Sequence, residues 1–185
     1  MKLKVCLILS LILIVLFTSV AMADAPYGSY TYDYWGDPVP APAPYVPTRL
    51  LDGDALGIGP LTGASDLFIS DDNKIYIADT GNNRIVVLNS SWKVERIIDS
   101  FVKNGQQDTF NSPQGVFVTE EDALYIADTG NARIIELTSK GEFVREIGPP
   151  KADIIPADFE YKPTAIVVDR AKRLYVIAQG VNQGI

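Results

Sequence analysis

An incomplete β-propeller is the fold this chain predicts: all-β, with about two and a half four-stranded antiparallel blades preceded by an N-terminal signal helix. Three observations carry that expectation. Residues 75–85 and 124–134 are nearly the same eleven residues, Ile-Tyr-Ile-Ala-Asp-Thr-Gly-Asn-Asn-Arg-Ile and Leu-Tyr-Ile-Ala-Asp-Thr-Gly-Asn-Ala-Arg-Ile. A degenerate third copy runs from Leu174 to Gly184, with 49 positions between Asp79 and Asp128 and 50 between Tyr125 and Tyr175. Within each period, short apolar runs of strand length recur, and no helix-period segment follows the leader.

The leader comes first. Lys2 and Lys4 precede an apolar run from Val5 to Val20, and Ala21-Met22-Ala23 has the small-x-small pattern of a signal-peptidase site. Residues 1–23 are therefore expected to be a signal peptide, cleaved before Asp24, with an uncleaved membrane anchor as the other reading. Residues 24–48 crowd Tyr27, Tyr30, Tyr32, Tyr34 and Trp35 before Pro38, Pro40, Pro42, Pro44 and Pro47. Proline at alternate positions removes backbone donors, so this Tyr/Pro-rich stretch is expected to be an extended spacer.

Residues 49–185 form the propeller part, with blades over about 64–99, 113–148 and 163–185. In the second, Gly115–Val118, Leu124–Ala127, Arg133–Leu137 and Glu142–Ile147 read as four antiparallel strands. The first matches with Asp66–Ile69, Lys74–Ala78, Arg84–Leu88 and Lys93–Ile98, and the third supplies Thr164–Val168 and Arg173–Ile177. Strands are expected to be apolar inside and increasingly charged outward. The stretches Ser100–Ser112 and Gly148–Lys162 are long for compact-domain loops and are expected on one face, where specificity would reside.

Composition removes several functions. The leader holds two of the 16 Lys+Arg and none of the 23 Asp+Glu, so the remainder carries a net charge of −9. Such a chain repels phosphate backbones and anionic lipid, which argues against nucleic acid as a partner. Histidine is absent, and the single cysteine lies in the leader, so imidazole triads, zinc sites and disulfides are not expected.

The Tyr-Ile-Ala-Asp-Thr-Gly-Asn-x-Arg-Ile signature, preceded in the second copy by Pro113-Gln114-Gly115, resembles the NHL repeat of six-bladed β-propellers. Ala64 and Asp66 depart from the Pro and Gly of that pattern, and Ala178 and Gln183 replace its Asp and Arg in the third copy. The leader and Tyr/Pro-rich segment look like those of exported bacterial NHL proteins, some of which continue into the membrane. Six repeats of this period need roughly 300 residues. The chain is thus expected to be a piece of a longer protein, with a ring closed by several chains as the other possibility.

The candidate site residues are Asp79, Gly81, Asn82 and Arg84, and their counterparts Asp128, Gly130, Asn131 and Arg133. Each Asp faces its Arg across a tight hairpin turn and can accept N–H bonds from the turn that follows. Gly81 and Gly130 are expected to supply positive φ. A repeated brace is the structural reading; a ring of ligand-gripping carboxylates is the functional one. Trp92, in an outer turn, is a possible sugar contact, whereas the acidic turns Asp71-Asp72-Asn73 and Glu120-Glu121-Asp122 read as solvated. No metal site, catalytic residue or cofactor is expected.

Two functions follow. The first is an exported, extracytoplasmic binding or scaffolding module for a protein, peptide or glycan, reaching a membrane only through its leader or a missing C-terminal segment. The second, implied by resemblance, is a hydrolase or lactonase-like six-bladed enzyme with a divalent metal in the central channel.

Overall fold

The computed structural model describes residues 29–41, 49–153, 155 and 159–179. The expected signal helix over 1–23 lies outside them. The chain divides into two compact units, Met1–Leu50 and Leu51–Ile185. Among the described residues no helix is long and apolar enough to cross a membrane.

In the first unit, β1 (Ser29–Tyr32) and β2 (Pro38–Ala41) form an antiparallel hairpin with Tyr32 opposite Pro38. The expected extended spacer is corrected over these residues. Asp33 closes the turn, its Oδ1 accepting the N–H of Trp35 at 2.8 Å and of Asp37 at 2.9 Å. Both strands of a two-stranded ribbon are edges, and there proline is tolerated.

The second unit carries the blades. β3 (Asp66–Ile69), β4 (Ile75–Asp79), β5 (Arg84–Leu88) and β6 (Val94–Ile98) make one antiparallel sheet in consecutive order. β7 (Ser100–Lys103) and β8 (Gln106–Thr109) follow as a separate hairpin. A second four-stranded sheet comprises β9 (Pro113–Val118), β10 (Leu124–Asp128), β11 (Arg133–Leu137) and β12 (Phe143–Ile147). β13 (Lys162–Val168) and β14 (Leu174–Gln179) pair as the beginning of a third. The repeat extends to backbone detail. Asn73, Asp122 and Lys172 close equivalent turns, each at φ 61°, and β5–β6 and β11–β12 shift register at equivalent places.

Blades stack face to face because alternate residues of each strand point to opposite neighbours. Tyr76, Ala78 and Val87 of the first blade meet Val116, Leu124, Ile126 and Ile135 of the second. On the second blade's other face, Tyr125, Ala127 and Ile134 pack on Ile166 and Val168. The first blade's outer face, Ile75, Ile77, Val86 and Leu88, lies under Leu56, Ile58 and Leu61. Truncating a fully buried member such as Ile135 to alanine costs about 2–5 kcal/mol. Burial peaks on the second and third strands rather than the innermost. Every residue of β4 and β10 is buried, whereas Leu67 and Ile69 of β3 are 57% and 56% exposed.

One expected loop is corrected outright. Residues 100–112 contain the β7–β8 hairpin, turned by Asn104 (φ 52°) and Gly105 (φ 79°). Two successive positive φ values are what a tight hairpin turn twisted with its strands requires, and Asn-Gly supplies them readily.

Candidate functional site

The duplicated motif is a clamp on the chain segment entering each blade. In the first blade, Asp79 Oδ1 accepts the N–H of Thr62 at 2.8 Å, and the N–H of Gly81 donates to the Thr62 carbonyl at 2.8 Å. Asp79 Oδ2 accepts Asn82 Nδ2 at 2.8 Å and Arg84 Nε at 2.7 Å. Asn82 also donates to the Pro60 carbonyl, and Arg84 to that of Ile58. The second blade repeats this with Asn111 in Thr62's place. Asp128 Oδ1 accepts the Asn111 N–H at 2.7 Å, and Gly130 N–H reaches the Asn111 carbonyl at 2.8 Å. Asn131 and Arg133 share Asp128 Oδ2, each at 2.8 Å. Both carboxylates are 0% exposed, so the bonds around them replace the water they have lost.

Two sequence expectations change here. The backbone donors to each carboxylate come from the incoming segment rather than from the turn that follows. Nor do the glycines supply positive φ: that conformation falls on Asn83 and Ala132, both at φ 53°. Gly81 and Gly130 are needed for close approach. A Cβ on Gly81 would lie 2.8 Å from the Thr62 carbonyl oxygen, and one on Gly130 2.7 Å from that of Asn111. A 3-10 turn, Thr80–Asn82 or Thr129–Asn131, joins the strands.

Beyond the shared clamp the copies diverge. Arg133 reaches Asp108 with both terminal nitrogens, at 2.7 and 2.9 Å, Glu146 at 3.0 Å and the Thr109 carbonyl at 3.0 Å. Its guanidinium lies 5.6 Å from the Phe101 ring centroid. The Asp108 hydrogen bonds raise the Arg133 pKa, and the Arg133 hydrogen bonds hold Asp108 below the ordinary aspartate value. Glu146 is likewise lowered, first by its bond to Lys103 at 2.7 Å and then by Arg133. This network ties β8, β11 and β12 together. In the third copy, Ala178 stands where the clamping carboxylate would be, so that blade lacks the acceptor.

Trp92 closes the β5–β6 turn at φ 63° and is half exposed. Asp72 of the first acidic turn bonds Ser70 at 2.5 Å and Lys74 at 3.1 Å, and Glu120 and Glu121 of the second pair with Arg170 and Lys172. Among the described residues no group of three or more His, Cys, Asp or Glu is placed to hold a metal ion.

Two of the concavities among the described residues border the blade turns. One, of about 430 Å³, lies at the turn ends of the second and third blades, where Phe117 and Val168 adjoin the Glu136–Arg145 ion pair and Tyr125. Burial raises the Tyr125 pKa, and the bond to Glu136 raises that of Arg145. The other, of about 330 Å³, is an open groove between the first clamp's turn and the β7–β8 hairpin. Asn82, Asn83, Asp99, Ser100, Gln107 and Thr109 line it.

Four-stranded antiparallel blades in sequence order, each stapled by an Asp-Gly-Asn-Arg turn, are the units of a β-propeller. The family described as NHL repeat matches residues 61–88, which begin at the clamped segment and end with β5. No curated protein matches the chain. Among solved structures it is similar to virginiamycin B lyase from Staphylococcus aureus, at 15% identity and TM-score 0.41, over 80% of this chain and 40% of that one. It is also similar to the hydrazine synthase of Kuenenia stuttgartiensis, at 14% identity and TM-score 0.47, over 71% of this chain and 32% of that one. The chain thus spans well under half the length of these structures.

Proposed function

We propose that this chain is part of an exported NHL-repeat propeller that acts as a binding or scaffolding module for a protein, peptide or glycan. One observation carries the reading. The motif's polar side chains are occupied in holding backbone: Asp79 and Asp128 are buried and bonded, and Asn82, Asn131, Arg84 and Arg133 reach carbonyls of the incoming segment. The duplicated residues therefore serve the scaffold, and the connectors between blades, which differ in sequence, are free to recognise. Export is supported by Lys2, Lys4, the apolar run and the Ala21-Met22-Ala23 site.

The test sets this module against the metal-dependent hydrolase. Calorimetric titration of the full chain with calcium and zinc should find no tight site, and a panel of lactones should not be turned over. Arrays of peptides and neutral glycans should show saturable binding. Tight metal binding accompanied by lactone hydrolysis would overturn the proposal.

A further inference from the structure

The two blade junctions share a scaffold, so each is an internal control for the other. Where the clamp needs a residue, the junctions agree: Asp79 and Asp128, Gly81 and Gly130, Asn82 and Asn131, Arg84 and Arg133. Around the groove they do not. Asn83, Asp99 and Ser100 of the first junction correspond to Ala132, Gly148 and Pro149 of the second. Asn83 Oδ1 accepts the Ser112 N–H at 2.7 Å, but the second blade forms the same clamp and turn without these three polar groups, Ala132 matching Asn83 at φ 53°.

Polar groups line the groove over the buried Phe110 ring. The Gln107 amide, the Asn82 Oδ1 and Asn83 Nδ2 left over from their bonds to Pro60, Asp79 and Ser112, and the Ser100 and Thr109 hydroxyls surround one carboxylate, Asp99, and no cation lines it. Amides and hydroxyls both donate and accept, and a carboxylate accepts from two neighbouring donors. That is the complement of vicinal sugar hydroxyls, which also do both. An anion would meet Asp99 without a counter-charge, and an apolar side chain would strip water from the amides without replacing their bonds. The Asp99 carboxylate is already oriented by Ser100 Oγ at 2.9 Å. Its volume of about 330 Å³ falls at the small end of ligand sites, about 300–1,000 Å³.

We propose that the groove between the Thr80–Asn83 turn and the β7–β8 hairpin is a binding site for one or two rings of a neutral saccharide. This rests on the binding-module reading and narrows its ligand. The groove is open and sugar hydroxyls exchange bonds to water for bonds to protein at little net gain, so affinity for a disaccharide should be weak, with a dissociation constant on the order of 1 mM.

The experiment titrates the isotope-labelled full chain with maltose, cellobiose and di-N-acetylchitobiose, followed by NMR. At least one should shift the amides of residues 99–109 and the Gln107 side-chain amide. Gln107→Ala and Asp99→Gly should each weaken binding about tenfold, the loss of one good hydrogen-bonding partner, without lowering the melting temperature. Trp92→Ala should leave binding unchanged. The proposal is overturned if no disaccharide shifts those amides, or if the shifts survive both substitutions. Peptide binding elsewhere would then leave the module standing without its saccharide groove, whereas a tight metal site with lactone turnover would remove the module reading itself.

Discussion

At the scale of single residues, Asp128 decides whether the second blade holds together. It is fully buried, and its two oxygens take an N–H from Asn111 and side-chain bonds from Asn131 and Arg133. Asp128→Ala would leave the Arg133 Nε and the Asn111 N–H without their acceptor. The expected loss is about 3–5 kcal/mol, read as a lower denaturation midpoint; a melt matching wild type would mean that the clamp is idle. Arg133 couples the same site to pH. Asp108 and Glu146 both have folded pKa values below their ordinary 3.8 and 4.5. Each therefore contributes stability in full above its ordinary value, and that contribution is lost as pH falls through the lowered one. The melting temperature should hold from neutral pH to about pH 5 and drop below it. Asp108→Asn should flatten that drop, and parallel pH profiles for the two proteins would refute the coupling. The acidic and basic halves of each motif were legible in the sequence because their side chains do the work. Thr62 and Asn111 were not, since the clamp holds only their backbone N–H and carbonyl, which any residue other than proline provides.

At the scale of elements, the strands were legible where an apolar run of strand length lay between turn signals. β5 and β11 begin and end where the hairpin turns and the repeat spacing put them, and most other boundaries fall within one or two residues. The β7–β8 hairpin shows the opposite case. Val102, Lys103, Gln106 and Gln107 offer no apolar alternation to mark strands, yet Asn104-Gly105 was a usable turn signal within the long connection. The β1–β2 hairpin was hidden by its prolines, which suggest an extended spacer but are compatible with a ribbon that is all edge. The β7–β8 turn also localises an effect. Gly105 sits at φ 79°, so Gly105→Ala forces a side chain into a strained conformation costing on the order of 1 kcal/mol. Hydrogen exchange should quicken for residues 100–109 while β4, β5, β10 and β11 keep their protection. Uniform quickening across both blades would show instead that the hairpin is integral to the blade core.

At the scale of the second unit, separate sheets unfold as one only if something couples each blade to the next. Apolar stacking supplies most of the energy, but it is non-directional, and register between blades needs bonds of fixed length. The motif threonines supply them. Thr80 Oγ1 donates to the Pro113 carbonyl at 2.7 Å, and Thr129 Oγ1 to the Pro163 carbonyl at 2.6 Å, so each blade's turn is fastened to the innermost strand of the next. Arg96 Nη2 donates to the Ser139 carbonyl at 2.6 Å near the outer strands of the first pair, and two more links lie beside the Thr80 bond. Ser65 Oγ donates to the Gln114 carbonyl at 2.8 Å, and Asp66 Oδ2 accepts the Val116 N–H at 2.8 Å. Asp66, a departure from the glycine expected there, thus works between blades. Gly115 occupies the same place in the second blade, where the backbone of Thr164 comes so close that a Cβ would lie 2.7 Å from its carbonyl oxygen. With Gly115 offering no side chain there, Thr129 is the donor that joins the second and third blades near this point. Thr129→Val keeps the shape and removes the hydroxyl, leaving the Pro163 carbonyl short of a donor at a cost of about 1–3 kcal/mol. Thr80→Val should cost less, because Ser65 and Asp66 still join its two blades. Hydrogen exchange should then show β13 and β14 opening independently in Thr129→Val, ahead of the first two blades. If both variants lose stability equally and all three blades still open together, the threonine bonds are not what couples them, and stacking alone sets the cooperativity.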